Sequence, residues 1–134
     1  MRVNQLAKAL ATTADTVRYY TRIGLLKPVK NKTNGYKVYR NTDEQRLRFA
    51  LRARQLGFSV NDVLEIVSMA DQGKSPCAHV RILIRRRLSE IDKGFLEVQQ
   101  LYQRMHKAAA TWEKMPDNQP TGKMICALIE AWDQ

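Results

Sequence analysis

The 134-residue sequence predicts a mainly α fold: two short helices and a two-stranded hairpin, a connecting helix pair, one long helix, and a short C-terminal loop and helix. Three observations predict it. Apolar residues recur at helical spacing in successive segments, each bounded by a capping or breaking residue. One segment holds an Asn34-Gly35 turn followed by alternation through Tyr36, Val38 and Arg40, a hairpin signal. A series from Ile84 to Trp112 then repeats at spacings of four and three, the heptad of a coiled coil.

Val3, Leu6, Ala7 and Leu10 mark the first helix, and "ATTAD" interrupts it. Thr13 is an N-cap for a second helix through "ADTVRYYTRIG", which stops at Gly24. Val17 and Tyr20 face the core. Thr16, Tyr19 and Arg22 lie three apart on a different face, with Arg18 beside them. Two short helices joined by a tight turn, the second polar and cationic, describe a helix-turn-helix. "LLKPVKNKTNGYKVYRN" then forms a two-stranded wing carrying Lys27, Lys30, Lys32, Lys37 and Arg40.

"NTDEQRLRFALRARQLGF" opens with Thr42 and Gln45 in capping-box spacing. Leu47, Ala50, Leu51 and Leu56 form its apolar side, Arg46, Arg48, Arg52 and Arg54 the other, and Gly57 ends it. Ser59 caps "SVNDVLEIVSMA", with Asp62 in its first turn, and Gly73 closes that helix.

The long helix starts at Ser75 as N-cap and Pro76 at N1, where proline is favoured, which makes Cys77 its second residue. Ile84, Leu88, Ile91, Phe95, Val98, Tyr102 and Met105 carry the heptad, and Ala109 and Trp112 continue it. No segment of matching length exists elsewhere in the chain, so the expected partner is a second copy. Gly94 inside this helix costs about 1 kcal/mol against alanine, which a close crossing of two backbones would explain. Pro116 and Pro120 bracket a polar loop, and "KMICALIEAW" closes the chain. The expected divisions are residues 1–72, 73–113 and 114–134.

The formal net charge is +10, and residues 1–60 hold all of the excess, with 13 Lys and Arg against 3 Asp and Glu. A concentrated positive field recruits polyanions by counterion release, which points to nucleic acid. No apolar run approaches the ~20 residues of a membrane span, and "MRVNQLAKAL" lacks the apolar centre of a signal peptide. The expected location is therefore the cytoplasm, with no membrane partner. Two cysteines are too few for a disulfide framework, and a reducing compartment leaves them as thiols. No acid–base or nucleophile constellation is present, so catalysis is not expected.

The motifs "TVRYYTRIGLLKP", "NGYKVYR", "RLRFALRARQLGFSVNDV" and "PCAHV" resemble the MerR family of bacterial transcription regulators. The similarity covers nearly the whole chain and is greatest with the metal-responsive branch, through the short C-terminus and the placement of Cys77 and Cys126. The resemblance implies a winged helix-turn-helix DNA-binding domain, a long coiled-coil dimerisation helix, and a short C-terminal effector-binding loop and helix. It implies a bacterial, nucleoid-associated homodimer on a pseudo-palindromic promoter. The effector-bound form of such regulators distorts over-long spacer DNA so that RNA polymerase engages both promoter elements, a form of indirect readout.

Within that frame the DNA-facing candidates are Thr16, Arg18, Tyr19 and Arg22 on the second helix. In the wing they are Gly35, Tyr36, Lys37 and Tyr39, with Arg52 and Arg54 reaching phosphate or supporting the wing. Tyr20 is expected to pack inward. The resemblance further implies a divalent metal ion (Zn, Cd, Pb or Hg) held by Cys77 of one subunit and Cys126 of the other. An earlier loop cysteine found in such relatives is missing; this chain reads "TWEKMPDNQ" there. Asp117 and His79 are the secondary ligand candidates, although residues 77 and 79 point to different sides of a helix. Two further readings stay open: a thiol-based sensor of oxidants or electrophiles with the same architecture, and a DNA-binding protein without an effector.

Overall fold

The computed structural model describes residues 1–133. Helix α1 (Val3–Ala9) places Leu6 and Ala7 in the core, and Gln5 Oε1 caps it by accepting from the Arg2 amide at 2.8 Å. Helix α2 (Ala14–Arg22) begins at Thr13, whose hydroxyl accepts from the Thr16 amide at 3.1 Å. Between them Ala11 adopts φ 53°, the left-handed conformation of a helix C-terminus usually given to glycine. Val17 and Tyr20 are buried as their spacing predicts.

Strands β1 (Val29–Lys30) and β2 (Lys37–Val38) pair antiparallel, Val29 opposite Val38 and Lys30 opposite Lys37. The hairpin is not closed by a two-residue Asn-Gly turn. That turn needs positive φ at both residues, and only Gly35 has it, at 74°. The wider loop over residues 31–36 closes instead through the Asn31 amide on Tyr36 O at 2.7 Å and the Gly35 amide on Asn31 O at 2.8 Å.

Helix α3 (Asn41–Gln55) starts earlier than the Thr42/Gln45 pair predicts. Asp43, 1% exposed, fixes its start: Oδ2 accepts from the Arg40 amide and Oδ1 from the Lys27 amide, both at 2.9 Å. Leu47 and Ala50 are buried, but Leu56 is 66% exposed, because α3 ends at Gln55 and Phe58 turns inward in its stead. Helix α4 (Val60–Asp71) carries the expected cap as a reciprocal box. The Asp62 amide donates to Ser59 Oγ at 3.0 Å and the Ser59 amide to Asp62 Oδ2 at 2.9 Å.

Helix α5 (Cys77–Trp112) runs for 36 residues, about 54 Å. The Pro76 carbonyl accepts from the Val80 amide at 2.8 Å, so Pro76 is the cap and Cys77 the first helical residue, and the helix begins one residue later than predicted. Helix α6 (Ala127–Glu130) follows the loop. Two compact units are present. Met1–Arg87 holds one apolar core built on Leu6, Val17, Leu25, Leu26, Leu47, Val63 and Leu83. The second begins at Leu88. In the single chain the heptad side chains of the second unit face solvent: Leu88, Ile91, Phe95, Val98, Tyr102 and Met105 are all exposed. A Cβ built on Gly94 would meet nothing within 4 Å. No helix of the described residues is long and apolar enough to cross a membrane.

Candidate nucleic-acid interface

Helix α2 is amphipathic enough to be anchored on one side and free on the other. Val17 and Tyr20 hold it in the core, where burial pushes the Tyr20 hydroxyl above its ordinary pKa while nearby Arg54 opposes that shift. The opposite side carries exposed Arg18 and Arg22 and half-buried Thr16 and Tyr19. Arg18 pairs with Asp15 at 3.0 Å, but both side chains are well exposed, so the pair is weak and readily exchanged for a stronger anion. The Arg22 guanidinium lies 5.5 Å from the Tyr19 ring centroid, and Tyr19 packs edge-on against Tyr20 at 5.2 Å. Thr16 is held by its hydroxyl, 2.9 Å from that of Thr13.

The wing meets this helix. Val3, Arg18, Thr21, Arg22, Lys37 and Tyr39 line one groove of about 370 Å³, which brings three predicted DNA-facing cations together. Lys30 lies directly opposite Lys37. Like charges opposed across a strand pair are unfavourable unless an anion offsets them. Tyr36 is exposed on the wing, and the Arg2 guanidinium sits over its ring at 4.4 Å from the centroid. Arg2 was not among the sequence-predicted residues. Its contact joins the chain's start to the wing across 34 positions, and no local pattern marks it.

Tyr39 is placed differently from the expectation that it clamps the DNA backbone. It is 3% exposed, and its hydroxyl lies 2.7 Å from that of Thr21. The Tyr39 amide and carbonyl both bond to Met1. It therefore ties the wing to α2 and the chain start, and Lys37 and Tyr36 carry the outward-facing chemistry. Gly35 supplies the positive φ of the wing loop. Arg54 donates to the Phe58 carbonyl at 2.7 Å and lines a groove with Asp15, Thr16, Tyr19 and Tyr20. Arg52 is exposed on α3. The base of the wing is pinned by Asp43 and by Arg40, whose guanidinium donates to Lys27 O at 2.8 Å.

The two thiols sit in different units. Cys77 is exposed at the first turn of α5, its amide 3.5 Å from Ser75 Oγ. Cys126 is half-buried, and its amide and that of Ile125 both donate to one Glu130 carboxylate oxygen, at 2.8 and 2.9 Å. His79 points to α4: its Nε2 is 3.0 Å from Glu65 Oε1, out of line for a hydrogen bond. Asp117 lies exposed in the loop. Among the described residues no three His, Cys, Asp or Glu side chains group to hold a metal ion.

Comparison with known proteins accords with this arrangement. Residues 1–70 match the family model described as MerR HTH family regulatory protein, and residues 44–108 match that of MerR, DNA binding. The HTH-type transcriptional regulator ZntR of Escherichia coli K12 is 29% identical over 137 residues, covering 99% of this chain and 92% of its own. HmrR, an HTH-type transcriptional regulator of Rhizobium leguminosarum bv. viciae, is 34% identical over 75% of this chain and 78% of its own. The crystal structure of the transcription regulator PbrR691 from Ralstonia metallidurans CH34, in complex with lead(II), has the same fold, with a TM-score of 0.75 over 98% of both chains at 20% identity. A helix-turn-helix with its cationic face turned outward, a lysine-bearing wing and a long helix with an exposed heptad all agree with the sequence match: the chain belongs to the MerR HTH family of regulatory proteins.

Proposed function

We propose that this protein is a cytoplasmic, sequence-specific transcriptional regulator that binds double-stranded promoter DNA as a homodimer. Its effector is a thiophilic divalent metal ion, and the bound form distorts the promoter so that RNA polymerase engages it. The observation that carries the DNA-binding part is the single groove where Arg18, Arg22 and Lys37 converge, in the half of the chain that holds all the excess positive charge. Helix α2 enters the major groove, where arginine reads guanine with two hydrogen bonds. The wing lysines and Tyr36 hold phosphate and set the register. Residues 1–72 read DNA, 73–113 dimerise through the exposed heptad, and 114–134 contribute to the effector site.

For the effector, exposed Cys77 opens α5, where orphan N–H groups and the helix dipole favour an anionic ligand. Cys126 of the other subunit supplies the second sulfur. Two thiolates suit a soft ion that accepts linear coordination, whereas Zn²⁺ takes four ligands. Asp117 and His79 are the side chains from which further donors would come, and the Glu65 contact leaves His79 the weaker of the two. A bound ion joins the two subunits through these thiols and shifts the dimer between two states. Titration of the reduced protein with Zn²⁺, Cd²⁺, Pb²⁺ and Hg²⁺ tests this by thiolate–metal absorbance. The expected result is saturable binding that Cys77→Ser and Cys126→Ser each abolish. Binding that survives both substitutions contradicts the assignment. A promoter response to peroxide that needs Cys77 alone would instead make the protein an oxidant sensor.

A further inference from the structure

Helices α3 and α4 line a cleft of about 400 Å³ that the DNA-binding reading leaves unused. On α3 its lining residues Thr42, Gln45, Arg46 and Phe49 stand at spacings of three and four, one face of a helix, and pass from polar to apolar along the chain. On α4 Ile66 and Val67 give way one turn later to Ala70 and Asp71. Arg46 Nη2 donates to Asp71 Oδ1 at 2.7 Å, so the polar ends of the two lining faces coincide. The apolar part is built on the core: Ile66 is buried, Val67 packs against the buried cluster, and Phe49 presents an exposed ring. Ala70 adds only a methyl group to the wall, and Pro76 completes it.

A second groove, of about 250 Å³, shares Thr42 and Arg46 with the cleft and adds Lys27 and Arg40. Three cations therefore gather at the polar end. Of the two carboxylates there, Asp43 is turned onto the Lys27 and Arg40 amides, both at 2.9 Å. Asp71 engages one nitrogen of the Arg46 guanidinium, and solvent reaches both side chains of that pair, so a better-placed anion can exchange with it. A pocket of about 300–1,000 Å³, mainly apolar with a few polar groups converging at one end, is the ordinary form of a small-molecule site. We infer that the α3–α4 cleft binds a small organic anion with a flat apolar body, an aromatic carboxylate. The ring lies against Phe49, Ile66, Val67 and Pro76, and the carboxylate accepts from the Arg46 guanidinium, whose planar donors match it. Lys27 and Arg40 supply the positive field around it. Neither groove shares a lining residue with that of Arg18, Arg22 and Lys37, and neither contains a thiol. The site thus stands or falls independently of the DNA and metal readings.

The probe is 2-naphthoate, titrated into the isotope-labelled intact chain and followed by amide chemical shifts. Saturable shifts are expected at Phe49, Ile66, Val67 and Ala70, with a Kd on the order of 0.1 mM for a ligand of this size. The neutral isostere 2-naphthamide is expected to move the same residues but to bind about tenfold more weakly, the scale of one charge-assisted hydrogen bond. Arg46→Met keeps the apolar stem and removes the guanidinium. It is expected to bring acid and amide within about twofold of one another by weakening the acid alone. Its affinity for a duplex that the wild-type protein enriches from a random library is expected to be unchanged. Ala70→Trp fills the cleft from the surface of α4 and is expected to abolish both titrations without lowering the melting temperature. Should that variant fail to fold, the Arg46→Met comparison decides alone. Equal affinity of wild type for acid and amide overturns the proposal, as does retained naphthoate binding in a folded Ala70→Trp. Shifts centred on Leu88, Ile91 and Phe95, or no saturable shift in α3 and α4, overturn it as well. A loss of duplex affinity in Arg46→Met equal to that in Arg18→Ala would assign these cations to DNA phosphate and overturn it too.

Discussion

Arg18 and Tyr39 line the same groove and do different work. Arg18 is exposed and pairs at the surface with Asp15, a weak partner that the proposed DNA contact would replace with a guanine edge or a phosphate. Tyr39 is sealed beneath it, its hydroxyl against Thr21. Arg18→Ala is therefore expected to abolish promoter binding in a mobility-shift assay while leaving the dimer and its melting temperature unchanged, since the surface pair is worth less than about 1 kcal/mol. Tyr39→Phe is expected to do the reverse, costing about 1 kcal/mol of stability through the lost hydroxyl contact and leaving sequence preference intact. Unchanged binding in Arg18→Ala would remove it from the interface. At this scale the sequence was legible where the signal is local: Thr13 caps α2 and Val17 and Tyr20 bury as their spacing predicts. It was not legible for Arg2 over Tyr36 or for Asp43 bridging Lys27 and Arg40. Arg2 over Tyr36 and Lys27 on Asp43 join residues that only tertiary folding brings together, whereas the Asp43–Arg40 contact is a local three-residue cap that the Thr42/Gln45 pair drew attention away from.

Elements differ in how much of their stability is local. The wing has only two paired residues on each strand and a lysine facing a lysine, so its position depends on Asp43 and Tyr39 beneath it. The alternating pattern announced the hairpin, but the turn could not be read from Asn34-Gly35 alone, because Asn31 closes the loop from outside it. The Ser59/Asp62 box of α4 was visible at its three-residue spacing, whereas Arg87 lies 25 positions away. That distant partner has a pH signature. The hydrogen bond from Arg87 is the chief cause that holds the Asp62 carboxyl down to about 2 from 3.8. The native state thus binds fewer protons than the unfolded state between those values. The stabilisation is present in full above the unfolded value and is lost as pH falls through the folded one. Denaturation midpoints of wild type and Asp62→Asn are expected to differ by a constant amount above roughly pH 5 and to converge towards pH 2. A difference that persists undiminished at the acid end would mean that the pair does not stabilise the fold.

The whole molecule divides its chemistry as it divides its charge. The first 60 residues carry the entire positive excess, and the remainder is balanced. The apolar surface is apportioned the other way, with the exposed heptad confined to the second unit. One end of the chain is built to meet a polyanion and the other to meet an apolar copy of itself. The heptad was legible in the sequence because its period runs uninterrupted to Trp112. The proposed effector site was legible only through family resemblance, because Cys77 and Cys126 belong to separate units and, among the described residues, no three His, Cys, Asp or Glu side chains group to hold a metal ion.

The most direct test of the central claim is the affinity of the wild-type protein for its selected duplex and for a scrambled duplex of equal length, measured by fluorescence anisotropy over a series of salt concentrations. A specific regulator is expected to prefer the selected duplex by a factor on the order of 10³ or more, with both affinities falling as salt rises and the ratio holding. Equal affinity for the two duplexes, governed by salt alone, would contradict sequence-specific regulation and reduce the protein to a general polyanion binder.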